Sequence, residues 1–172
     1  EITEWDESIV ENWGSGPVST VPNIYHSLRG TGTADHGGYF TLQEVTSDEM
    51  FIGVKGNDWT SNGSLASLHQ HTWTPNSGNI LSAWRITYSA INAVNVQFEN
   101  DWLDEEEVPQ ARALRAYYYW RLLDLYGRVK LVTDSAPNPS QSSRQEVFDF
   151  VEQELLGALG IAGLNTVIDL SN

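Results

Sequence analysis

Cysteine is absent from these 172 residues, which excludes disulfide bridges, thiol nucleophiles and zinc–thiolate sites. Positive charge is scarce too. Nine Lys and Arg stand against 23 Asp and Glu, for a formal net charge of -14. A protein that binds a phosphate backbone needs a basic patch, so nucleic acid is excluded as a partner. Long apolar runs are missing as well, and none approaches the roughly 18 residues that carry a helix through a bilayer. No basic-then-apolar leader follows Glu1, so the chain reads as processed or truncated, with any export signal expected upstream.

What is present is a globular composition. Hydrophobic residues make up 40% and aromatics 11%, with seven Trp and seven Tyr, in a length that suits one domain with a real core. The acids gather in a lead-in over residues 1–16 (Glu1, Glu4, Asp6, Glu7, Glu11) and in "ENDWLDEEE", runs that read as a solvated face or linker.

The periodicity is helical. Pro22 can open a short helix through Ile24, Tyr25 and Leu28, closed by Gly30, and "YFTLQEV" reads as another with Tyr39, Leu42 and Val45 on one side. Residues 47–63 read as a long polar loop around Trp59. From Ile80 to Phe98, Trp84, Tyr88, Ile91 and Phe98 form a stripe, with Asn95 its polar break. Pro109 can begin a second long helix that runs to Tyr126, and Gly127 is the expected left-handed cap. "RVKLV" then reads as extended. After "SAPNPSQSS", Ser143 and Glu146 form a capping box that opens a third helix burying Phe148, Val151, Leu155 and Ala158.

The second long helix contains "AYYYW". Ala111, Leu114, Tyr118, Leu122 and Leu125 make one stripe; Ala113, Tyr117, Trp120 and Leu123 make another. More than half its circumference is apolar, so it is expected to be packed on two sides as a scaffold. Trp84 and Tyr88 are expected to meet Ala113, Ala116 and Tyr117. Arg112, Arg115 and Arg121 are expected to pair with Asp124 or the acidic hinge.

The run "RALRAYYYWRLLDLYGRVKLVTD", followed by a linker and "SRQEVFDFVEQEL", resembles the SusD/RagB-like family of outer-membrane nutrient-binding lipoproteins. "YFTLQEVTSDEM", "NDWTSNGSLASLHQHTW" and "AWRITYSAINAVN" follow the family's order, so the resemblance covers about residues 20–156. Lys130 stands where the family has a proline before "LV". The resemblance implies a mainly α fold of tetratricopeptide-like stacked helix pairs with long loops. Residues 1–172 would be one structural unit, the N-terminal portion of a longer protein. It further implies a non-catalytic, cofactor-free component of polysaccharide uptake of the starch-utilisation type. Such a protein binds oligosaccharide at the cell surface and passes it to a SusC-like TonB-dependent transporter. It would touch the outer membrane only through a lipid anchor, upstream of this sequence or absent.

Sugar rings stack on aromatic faces while amides and carboxylates hydrogen-bond their hydroxyls. "KGNDWTSNG" gathers such groups, so Asn57, Asp58, Trp59 and Asn62 are the candidate glycan contacts. The other reading is that Trp59 folds back to anchor its own loop. Two enzyme readings are weaker. His69 and His71 in "HQH" would share a face if extended and could hold a metal with Asp58 or His36, though loop or core-edge histidines are the ordinary reading. The acids of "DWLDEEE" are contiguous rather than facing across a cleft as glycosidase carboxylates do, and they lack the calcium-loop pattern. A helical-repeat protein–protein interaction scaffold without glycan binding is the alternative function.

Overall fold

A computed structural model describes residues 20–31, 38–53, 63–134 and 139–160, and these form six α-helices and no strand. They are α1 (Thr20–Thr31), α2 (Tyr39–Glu44), α3 (Ser64–His69), α4 (Gly78–Glu99), α5 (Glu107–Tyr126) and α6 (Arg144–Leu159). None of them is long and apolar enough to cross a membrane.

Local chemistry explains where the long helices start. At α6 the Ser143 hydroxyl accepts the Glu146 N–H at 3.2 Å, and the Glu146 carboxylate accepts the Ser143 N–H at 2.6 Å. That backbone N–H holds the Glu146 carboxyl below its ordinary range. The acidic hinge has the same logic. Asp104 Oδ1 accepts the N–H groups of Glu106 and Glu107, both at 2.9 Å, while Glu107 Oε2 accepts the Asp104 N–H at 3.1 Å. Part of the acidic run is therefore a helix-starting device, with negative charge at the favourable end of α5.

The long helices run antiparallel in sequence order. Trp84 near the start of α4 meets Tyr126 at the end of α5, with ring centroids 5.0 Å apart. Phe98 near the end of α4 lies 4.5 Å from the Arg115 guanidinium in the first half of α5. The sequence-based pairing of Trp84 and Tyr88 with Ala113, Ala116 and Tyr117 is thus out of register. The short hinge folds α5 straight back, so the start of α4 faces the end of α5. Gly127, with φ 74°, then turns the chain beside α6, where a Cβ would stand 3.0 Å from the Arg144 guanidinium.

The main core gathers Ile24, Ile91, Val94, Tyr118, Tyr119 and Leu122, and a second, smaller one joins Leu42, Val45, Leu65, Leu68 and Ala83. Tyr118 and Tyr119 are fully buried. The Tyr118 hydroxyl donates to the Ile24 carbonyl at 2.9 Å, which ties α5 to α1. Trp120 is the exception within the aromatic run, being 45% exposed.

The extended segment after Gly127 is held by side chains rather than by a neighbouring strand. The Tyr88 hydroxyl accepts the Lys130 N–H and donates to its carbonyl, both at 2.9 Å. Asn95, the polar break in the α4 stripe, donates to the Val132 carbonyl at 2.8 Å and accepts from Arg115 at 3.1 Å.

Three expectations change. Arg112 and Arg115 pair with neither Asp124 nor the hinge; both reach Glu154 on α6, at 3.2 and 2.8 Å. Arg121 does not pair with Asp124 either, but stacks among aromatic rings. The buried face of α6 is consequently rotated. Val147, Val151 and Glu154 turn inward, whereas Phe148 and Leu155 are 53% and 44% exposed and Ala158 is half-buried. The cause is the Glu154 carboxylate, which must face its two arginines, and Gly157, which lets the Arg112 guanidinium lie on the helix. Lastly, α3 lies where no helix was expected, within the stretch that leads from the polar loop to "HQH".

Candidate functional site

A cleft of about 730 Å³ opens at the edge of the smaller core. Leu42 and Leu68, both buried, and Ile80 and Leu125, partly buried, make its apolar lining. Gln43, Thr46 and Asp124 supply polar groups, and Trp73 and Pro75 come from the connection between α3 and α4. An apolar hollow with a few convergent polar groups is the usual make-up of a small-ligand site.

Each polar group has a reason to be where it is. Tyr39 and Gln43, one turn apart on α2, both donate to Asp124 Oδ2 on α5 at 2.6 Å, and Gln43 also donates to the Tyr39 hydroxyl at 2.5 Å. Burial first, and the Asp124 carboxylate next, push the Tyr39 hydroxyl up to about 12. Behind Tyr39 lies Arg121, its guanidinium carbon 3.6 Å from the ring centroid and 4.7 Å from that of Tyr117. Arg121 donates to the Tyr117 hydroxyl, but its Nε and Nη1 find no hydrogen-bond partner among the described residues, so ring faces are its main company.

Trp73 is 38% exposed and set by its neighbour in sequence space. His71 holds a left-handed backbone, φ 56°, rare for a residue with a side chain. Its Nε2 lies 2.8 Å from the Thr46 carbonyl, which can only accept, so Nε2 carries the proton. The His71 ring then stands 5.0 Å from that of Trp73. A strained turn, fastened just past the end of α2, thus backs Trp73 at the cleft.

The four candidate contacts, Asn57, Asp58, Trp59 and Asn62, lie outside the described residues, as does His36. His69 closes α3 and meets the Phe51 ring at 5.1 Å. His69 and His71 therefore do not alternate along an extended strand, and no group of three or more His, Asp or Glu among the described residues is placed to hold a metal. Sequence reasoning passed over Trp73 and Asp124 as site residues. Trp73 did leave a signal: it stands in "HTWTPNSG", before a Pro-containing turn and off every apolar stripe. Asp124 left none.

No model of a known protein family matches the chain, and no curated protein does. Among solved structures it is similar to the crystal structure of a SusD-like protein from Bacteroides fragilis NCTC 9343. The two share 20% identity and a TM-score of 0.62, over 94% of this chain and 31% of that one. This chain therefore spans a little under a third of its neighbour's length, and at that identity the likeness is one of fold. The chain has the mainly α-helical architecture of a SusD-like protein.

Proposed function

We propose that this chain is part of a cell-surface glycan-binding protein that serves nutrient uptake across an outer membrane. It captures an oligosaccharide without cleaving it and passes it to a SusC-like TonB-dependent transporter. The observation that carries this reading is the cleft with a half-exposed Trp73 on a braced turn and Gln43, Thr46 and Asp124 beside it. A sugar offers an apolar face to the indole and hydroxyls to those groups. Likeness of fold to a SusD-like protein supports the same reading. Asn57, Asp58, Trp59 and Asn62 are proposed as further contacts, and a lipid anchor elsewhere in a longer protein would hold the site at the cell surface.

The test is affinity electrophoresis on a polysaccharide panel, with Trp73→Ala and Trp59→Ala beside the parent. Retardation that Trp73→Ala abolishes and Trp59→Ala weakens is expected. A parent that no polysaccharide retards would defeat the reading, and turnover of any glycan would defeat its non-catalytic part. Co-purification of a large β-barrel with the intact protein from an outer membrane tests the transporter.

A second reading, an interaction scaffold, is favoured by one feature. Phe148, Leu155 and Leu159 on α6 are exposed, and Leu155 shares a hollow with Trp120 of α5. A scaffold would be ignored by every polysaccharide while still binding protein.

A further inference from the structure

We propose that the Trp73 cleft selects uncharged sugar rings and turns away glycans that carry carboxylate or sulfate groups, with Asp124 as the specificity-determining side chain. This rests on the glycan-binding reading and narrows its ligand class.

Among the described side chains that line the cleft, only Asp124 carries a formal charge, and it is negative. Its Oδ2 is occupied by the Tyr39 hydroxyl and the Gln43 amide, while its Oδ1 accepts no hydrogen bond from a described residue. An ionised carboxylate can only accept, so two donors on one oxygen fix the group in place and leave the other for a ligand that donates. Sugar hydroxyls donate. A uronate or sulfate group would instead bring a second anion to the same wall, and like charges repel.

A cation could cancel that repulsion, and the nearest candidate is withheld. Arg121 lies behind the Tyr39 ring at 3.6 Å, with Tyr117 and Trp120 on further sides, and is 4% exposed. It does not line the cleft, and neither does any described Lys or His. The chain's net charge of -14 adds long-range repulsion toward a polyanion. Aromatic packing thus withholds Arg121 from an acidic glycan in the cleft.

The experiment first finds, from soluble starch, laminarin and galactomannan, an uncharged polysaccharide that retards the purified protein. It then compares that polymer with its carboxymethylated derivative, alongside polygalacturonate and chondroitin sulfate. The parent is expected to bind the carboxymethylated polymer about tenfold or more weakly, a gap of about 1.4 kcal/mol that shrinks at high salt. Asp124→Asn, whose amide oxygen can still accept from Tyr39 and Gln43, is expected to weaken binding of the uncharged polymer and to narrow that gap, with little change in melting temperature. Equal or tighter binding of the carboxymethylated form, or an unaltered gap in Asp124→Asn, would overturn the proposal. Retardation by polygalacturonate or chondroitin sulfate alone would overturn it while leaving glycan binding standing. Silence on every gel would instead bring down the glycan reading itself.

Discussion

The Tyr119 hydroxyl closes a two-way bond with a single residue: it accepts the Val132 N–H at 2.7 Å and donates to the Val132 carbonyl at 2.8 Å. One phenol thereby satisfies both polar groups of a backbone unit, in place of a neighbouring strand. Tyr119→Phe removes both bonds and leaves the Val132 N–H without its partner. It should cost about 1–3 kcal/mol in denaturant unfolding. Amide exchange at Val132 should accelerate more than at Lys130, which Tyr88 still holds. Equal acceleration at both would mean that the segment is held as one block rather than by separate phenols.

Glu154 is buried and serves two arginines. Glu154→Ala strands two guanidinium groups, and Arg115, whose side chain is 11% exposed, is the more harmed. Destabilisation of about 3–5 kcal/mol is expected by thermal or chemical unfolding. Arg112→Ala should matter less, since that side chain is 35% exposed and water screens it.

A Cβ on Gly157 would stand 2.3 Å from the Arg112 Cζ. Gly157→Ala must therefore displace the guanidinium from Glu154, although alanine suits a helix better by about 1 kcal/mol. In the parent the lost ion pair should offset much of that gain. In an Arg112→Ala background the same change should be neutral or stabilising. A double-mutant cycle measures this coupling, and simple additivity would show that the close approach carries no energetic weight.

Alkaline pH should unfold the protein. Burial raises the phenols of Tyr88, Tyr118, Tyr119 and Tyr126, and Tyr39 stands at about 12 against an ordinary value of 10.0. When the folded value is the higher one, the folded state keeps protons that the unfolded chain has released. Stability is then complete below pH 10.0 and falls as pH climbs toward 12. Phenolate absorbance should appear together with loss of helical circular dichroism. Ionisation of these tyrosines with the helices intact would contradict their burial.

The cleft gives a final prediction. Trp73→Ala removes a side chain that is 38% exposed, so it should abolish ligand retention with little change in melting temperature. His71→Gly, which suits the left-handed backbone but loses the ring, should be at least as stable as the parent and bind glycan less tightly. Undiminished affinity in His71→Gly would show that Trp73 needs no backing.

The course of the helices was legible in the residues because their causes are local. The Ser143–Glu146 capping box and the glycine after Tyr126 act within four residues, and the stripes through Ile91 and Tyr118 follow the helical period. The same local logic was present but unread in Asp104 and Glu107 and in the Leu65–Leu68 spacing of α3. Which face each helix turns inward depended on distant charge. Phe148 and Leu155 look like core by periodicity, yet Glu154 turns inward because Arg115 lies 39 residues away in sequence and beside it in space. The cleft depended on distance even more. Asp124 acquires its role from Tyr39 and Gln43, 85 and 81 residues upstream, and no spacing rule links such positions. Sequence alone determined the rods, because backbone hydrogen bonds and caps are near-neighbour affairs. Tertiary structure alone decided their rotation and the hollow between them, because burial and charge pairing are settled only when distant segments meet.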